Sequence, residues 1–318
     1  MIFEAADARQ LAKAKDLAPN MADLNDSQKE WLLFSKIFRS LGYSNFSDGF
    51  ESLAESLPYQ KLQPWLVESE PREKIIAHWA GELGLIPAES KGLHENFLPT
   101  WEALRRLRPL DSMNSIPMAP TGRPQNHPLR RLAGMYHHLA RTGSEGLVKS
   151  WLRALWEVEA LLQAKAGNKR VFEPLARLFD PVGTEVLSQL LTPTSKKTAA
   201  KPLALIGQSR QRVVIANAVI PFFLSWAREA GDRGLEKTLF ALFLTLPGEG
   251  GNHKTELMEE RLFAGRPIKL RKSLSYYQGL IQLYDDWCRQ YDRTCEGCGL
   301  GRLIIGAGNH GARSLVGK

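Results

Sequence analysis

Residues 27–43 read SQKEWLLFSKIFRSLGY, and the apolar residues Trp31, Phe34, Ile37, Phe38 and Leu41 recur at spacings of three and four. That period places them on one face of an α-helix. Ser27 and Glu30 form a candidate capping box at its start, and Gly42 is a candidate stop. The same period returns around 72–83, 93–107, 128–141, 146–165, 211–229, 235–246 and 272–291. Pro and Gly punctuate these segments, among them Pro71, Pro87, Gly143, Gly167 and Gly231. Alternating strand patterns bounded by hairpin turns are nearly absent. The pattern predicts an all-α fold, a multi-helix, bundle-like body.

Two stretches break the pattern. Residues 108–128, rich in Pro, Ser and Asn, read as an ordered loop or a joint, and 192–202, polar and basic, as an exposed connection. No internal repeat of fixed period is present. The expected division is an N-terminal tail over 1–26, an N-terminal helical subdomain over 27–110, a main helical body over 111–285, and a zinc knuckle with C-terminal tail over 286–318.

The chain has 318 residues, enough to bury a sizeable core, with 43% apolar and 24% charged residues. No apolar run approaches the roughly 18 residues of a membrane span. The opening MIFEAADARQLAKAKDL lacks the basic-then-apolar order of a signal peptide. A soluble, cytoplasmic protein is expected, with no membrane partner. Lys and Arg total 42 against 34 Asp and Glu, a formal charge of +8. That excess raises the prospect of a polyanionic partner, because neutralising phosphates releases condensed counterions.

The three cysteines, Cys288, Cys295 and Cys298, fall within eleven residues. Cys295-Glu-Gly-Cys298 is a CxxC knuckle, whose spacing lets both thiolates reach one metal while Gly297 permits the turn. Cys288, at the end of a helical segment, supplies a third thiolate, and His310 is the nearest candidate fourth ligand. His127, His137, His138 and His253 are alternatives that the fold would have to deliver. Zinc leads as the cofactor, with an iron–sulfur cluster or ordinary reduced thiols as the other readings.

Four further motifs carry candidate chemistry. In TGRPQNHPLRRLAGMYHHLA (121–140), Arg123, His127, Arg130 and Arg131 gather where Pro128 opens a helix, a favourable place for an anion. The alternative there is a solvated Arg-rich helix face capped by Asn126. In 207–227, Arg210 and Arg212 lie in the first turns of a helix that Pro221 kinks or ends. Asn217, inside its apolar stretch, must find a partner, as structural glue or in a pocket. LPGEGGNHKTELMEERL (246–262) lacks the Gly-Lys-Ser/Thr ending of a P-loop and reads as an interhelical turn, with Glu249, Asn252 and His253 as a possible small polar site. Finally, Arg266, Lys269, Arg271 and Lys272 sit close to Tyr276 and Tyr277, a mix of charge and aromatic faces suited to single strands. No known catalytic signature stands out.

The order SLGYSNFSDGFESLAESLP, AHWAGELGL, RPQNHPLRRLA, VVIANAVIPFF, LPGEGGN and YDDWCRQYDRTCEGCGLG resembles the bacterial family known as domain of unknown function 2851, over about residues 28 to 304. Longer members carry a β-rich front portion faintly like a nuclease core, which this chain lacks. The resemblance therefore implies a fragment, a split gene product, or a partner chain that carries a catalytic domain. His127 stands where the family often has phenylalanine. The resulting expectation is a non-catalytic, metal-stapled nucleic-acid-binding module. It would contact phosphates through Arg123, Arg130, Arg131, Arg210, Arg212 and the 266–272 cations. The alternative is a structural or protein-interaction subunit of a larger complex. An enzyme using the cysteine site or Glu249 with His253 is the remaining reading.

Overall fold

The computed structural model describes residues 1–17, 21–107, 126–143, 145–248, 250–263, 266, 270, 272–289 and 298–302. Every regular element among them is helical, as the periodicity predicts, and the only pairing of extended backbone is an isolated bridge between Pro247 and Ser273. No helix among the described residues is long and apolar enough to cross a membrane.

The stretch expected as an N-terminal tail is helical: α1 spans Ile2–Leu17. It is wedged between α12 (Ile220–Glu229) and α15 (Leu274–Leu283). The contact with α15 is close enough that a Cβ on Gly279 would collide with the Ile2 carbonyl, so glycine sets the spacing of the two helices. Its apolar stripe is sparse: Ile2, Ala6 and Ala14 are buried, with Gln10 among them. That weak stripe is why periodicity alone does not reveal the helix.

Helix α2 (Asp26–Leu41) buries the predicted Phe34, Ile37, Phe38 and Leu41, but its capping differs from the expectation. Asn25 caps it, and Gln28 closes the capping box. Glu30 instead reaches a distant helix, α8 (Leu147–Gln163), where it accepts hydrogen bonds from the backbone N–H of Leu147 (2.8 Å) and Val148 (3.2 Å). A carboxylate there satisfies orphan donors and complements the helix dipole.

The other α-helices among the described residues are α3 (Tyr43–Ser56), α4 (Tyr59–Trp65), α5 (Pro71–Glu82), α6 (Leu98–Leu107), α7 (Pro128–Thr142), α9 (Asn168–Arg177), α10 (Val186–Gln189), α11 (Gln208–Val214), α13 (Arg233–Thr245) and α14 (His253–Phe263). One apolar core joins residues from both sides of the expected boundary near residue 110, including Phe38, Trp79, Trp151, Phe222 and Phe243. A smaller cluster gathers Ile2, Met258, Tyr276, Leu280, Leu283, Cys288, Cys298 and Leu300.

Pro221 does not end its helix. Lacking an N–H, it cannot bond the Asn217 carbonyl one turn back. Residues Ile215–Val219 widen instead into a π-helical segment that joins α11 to α12, and the Ile220 N–H bonds the Ile215 carbonyl. A second π segment, Tyr284–Cys288, extends α15. Such widenings re-aim side chains and recur at functional sites.

Candidate functional site

The Arg- and His-rich motif before and within α7 forms a buried polar hub. His127 is the N-cap, in place of the expected Asn126: its Nδ1 accepts the Leu129 N–H at 3.3 Å. Burial, with Arg130 and Arg131 nearby, pushes its pKa down to about 4, which keeps the ring neutral and able to accept. Arg130 is 1% exposed and donates to the carbonyls of Leu187, Leu190 and Ala204. Arg131, also buried, donates to the Leu41 carbonyl at 3.1 Å. Both guanidiniums face the interior, so neither is presented to an external phosphate.

Further along α7, His137 and His138 diverge as adjacent helical residues must. The Nδ1 of His137 accepts the Val182 N–H, which leaves Nε2–H to donate to Glu185 at 3.1 Å. Glu185 also accepts from both Nε and Nη2 of Arg72 and from the Leu187 N–H. Burial alone would raise the Glu185 pKa, but His137, Arg72 and the Leu187 N–H outweigh it and hold the carboxyl at about 2. His138 donates from Nδ1 to the Leu178 carbonyl and accepts the Trp151 indole N–H at Nε2, so it is neutral, with its pKa depressed by burial to about 4.

A different arrangement lies on the side of α1 and α15, where a cavity of about 550 Å³ opens to solvent. Its wall takes Lys13 from α1, Lys36, Arg39 and Ser40 from α2, and Ser47 from α3. Arg210 and Asn217 come from the α11–π segment; Gly250, Asn252 and Thr255 lead into α14; and Tyr277 and Gln278 come from α15. No carboxylate lines it among the described residues. Just outside, Glu51 pairs with both Lys36 (3.2 Å) and Arg39, and Asp48 with Arg39 (3.3 Å). Arg210 donates to the Ser40 carbonyl at 3.3 Å. Lys13 Nζ donates to Asn217 Oδ1 (2.7 Å) and Gln278 Oε1 (3.1 Å). Asn217 thus finds its required partner in a pocket. The lysine pKa is lowered to about 7, by burial first and by neighbouring Arg9 second. Arg9 is held by Gln278, Gln282 and Asp285, the last of these from the second π segment.

The cavity draws together segments that the sequence presented as separate motifs, from LGYSNFS through VVIAN and GGN to YYQG. Of the nine residues expected to meet nucleic acid, it includes one, Arg210. Arg212, on another face of α11, lies over the Phe172 ring at 5.5 Å. Lys272 pairs with Glu259, and Arg266 is exposed. Arg123, Lys269 and Arg271 lie outside the described residues, as does Glu249. Lys13, Lys36 and Arg39 were missed. The last two carry a sequence signal, two cations at i, i+3 on the polar side of a strongly apolar helix, but so does any solvated face.

Cys288 and Cys298 are free, buried thiols of the smaller apolar cluster, and Cys288 Sγ lies 3.4 Å from Met258 Sδ. Cys295 and His310, the other expected metal ligands, lie outside the described residues. Among the described residues, no group of three or more His, Cys, Asp or Glu is placed to hold a metal.

Fold and site together define an all-helical protein that combines a buried polar hub, paired through Arg130, Arg72 and Glu185, with an open cationic cavity. The chain belongs to the family described as protein of unknown function (DUF2851), which matches residues 2–252. That match takes in α1 and every cation of the cavity wall, and it ends before the cysteines. No curated protein and no solved structure matches the chain.

Proposed function

We propose that this chain is a non-catalytic nucleic-acid-binding module that holds phosphate in the cavity between α1, α2, α11 and α15. The observation that carries this reading is the convergence of Lys13, Lys36, Arg39 and Arg210 on one cavity with no carboxylate among its described lining residues. Arginines suit phosphate because their planar donors match its oxygens, and each phosphate neutralised releases counterions. A catalytic domain on a partner chain, as the longer relatives suggest, would then act on what this module holds.

The test is binding of labelled oligonucleotides as a function of salt. With four phosphate contacts, affinity should fall about a hundredfold between about 50 and about 200 mM salt. Arg210→Ala with Lys36→Ala should lower the slope of log affinity against log salt by about two. Salt-insensitive binding, or none, overturns the reading. Retention of a defined protein partner without nucleic acid favours the interaction-subunit alternative instead.

A second reading concerns the C-terminal segment. Cys288, Cys295 and Cys298, with His310, would hold a structural zinc that clasps the end of α15 to the last turns. What supports it is that two thiols ten residues apart share one buried cluster. Zinc would supply a cross-link and no chemistry of turnover. Metal analysis should find about one zinc per chain, reduced by Cys295→Ser; a wild-type chain with neither zinc nor iron overturns it.

A further inference from the structure

Within the cavity, Lys13 is unlike its neighbours. Lys36 and Arg39 share Glu51, and Arg39 also reaches Asp48. Among the described residues, no carboxylate answers Lys13. Its two acceptors are amide oxygens, and the Gln278 oxygen is also taken by Arg9 Nε at 2.9 Å. Two amide dipoles beside a guanidinium compensate a half-buried ammonium only in part. An anion entering the cavity would supply what the protein withholds.

We propose that the cavity receives a single terminal phosphate monoester at Lys13, rather than the diesters of a passing strand. This rests on the phosphate-binding reading above and narrows its ligand. A monoester carries about −1.5 to −2 charges at pH 7 and three acceptor oxygens. A diester carries one charge and must lead the chain both in and out. Arg39 stands 45% exposed at the rim, whereas Lys13 is enclosed between α1, the π segment and α15, within reach of a group that ends there. The cavity, about 550 Å³, lies in the range that encloses one small ligand. The first turn of α14, with Thr255 on the wall, adds the positive end of a helix dipole.

Arg9, on the same helix, is the charged group acting on Lys13. The other titratable groups around the cavity, among the described residues, are Lys36 and Arg39 on α2 with Glu51 and Asp48 answering them, Arg210 on α11, and Tyr277 on α15. Beyond Arg9 stands Asp285, shared with Lys254 of α14. With Lys13 at about 7 in the free protein, a bound dianion restores its proton. Affinity should therefore fall about tenfold per pH unit above about 7. It should also fall below about pH 6, where the phosphate loses its second charge.

The experiment compares a 5′-phosphorylated oligonucleotide, its 5′-hydroxyl twin, a nucleoside 5′-monophosphate and inorganic phosphate by calorimetry at pH 8, in buffers of different ionisation enthalpy. The expected result is a preference of about tenfold or more for the phosphorylated end, equivalent to about one unit of Lys13 pKa. It should come with net proton uptake, and both should be lost in Lys13→Met and retained in Lys237→Met, a change at an exposed lysine away from the cavity wall. Equal, salt-sensitive binding of both oligonucleotides overturns this inference and leaves the nucleic-acid reading standing. Binding of the monophosphate and inorganic phosphate without either oligonucleotide overturns the nucleic-acid reading and leaves the monoester site standing. Binding of none overturns both.

Discussion

The α7 hub and the α1–α15 cavity hold the same residue types to opposite ends. Around α7, acceptors meet donors inside the protein: three carbonyls take Arg130, and Glu185 takes Arg72 and His137 together. In the cavity, Lys36 and Arg39 share Glu51, and among the described residues the acceptors of Lys13 are amide oxygens. What separates a structural cation from one available to a ligand is therefore the supply of acceptors around it, which a count of arginines along the chain does not reveal. Burying a charge is tolerable when hydrogen bonds compensate it, and a shortfall marks a place that an outside anion can complete.

The comparison breaks first at Glu185. Replacing it with alanine strands a buried Arg72 and leaves His137 Nε2–H and the Leu187 N–H without their acceptor. The expected loss is about 3–5 kcal/mol in urea denaturation at pH 7. The same group predicts acid sensitivity. Its folded pKa of about 2 lies below the ordinary carboxyl value of 4.5, so its contribution is complete above about 4.5 and lost as pH falls toward about 2. The alanine variant should lack that part of the acid transition. A loss under about 1 kcal/mol would show that the hub is not the structural centre argued here.

Arg130→Met comes next. Methionine fills much of the same volume but leaves the Leu187, Leu190 and Ala204 carbonyls without a donor, in the segment that packs against α7. A loss of about 3 kcal/mol is expected, from charged hydrogen bonds exchanged for unsatisfied acceptors. If nucleic-acid affinity fell while the denaturation midpoint stayed put, Arg130 would instead belong with the ligand contacts, as its sequence context suggested.

The sequence and the structure part company for identifiable reasons. The helices with dense apolar stripes, α2 and α8 among them, were legible because burial of Phe34, Phe38, Trp151 and Leu155 writes a period into the chain. Helix α1 was not, since its buried face is mostly alanine and glutamine and its packing depends on Gly279 far away. Asn217 was legible as a polar residue in need of a partner, though the partner, 204 residues away, was not. The inward pairing of the α7 arginines was not legible, because their acceptors are backbone carbonyls, which every residue has and no sequence displays. The same holds for the cavity: each motif could be read, but their meeting point is a property of tertiary packing.

The smallest expected effect, and the most direct contrast with Arg130, is Lys13→Met. The substitution is again cation to methionine, but here it removes a charge that the protein does not compensate. Gln278 keeps Arg9 as a donor, and Asn217 still borders the open cavity. The variant should match the wild type or exceed it by up to about 1 kcal/mol at pH 7, since removing an uncompensated buried charge relieves a desolvation cost. The pH dependence sharpens the point. A lysine at about 7 when folded, against an ordinary value of 10.5, binds fewer protons folded than unfolded between those values. Wild-type stability should therefore rise as pH goes from about 7 to about 10, and the methionine variant should be flatter over the same window. Urea midpoints at both ends of that range decide it. If Lys13→Met lost as much stability as Arg130→Met with no difference in pH dependence, Lys13 would be as internally committed as the hub arginine, and the cavity would have no unanswered charge to offer a phosphate.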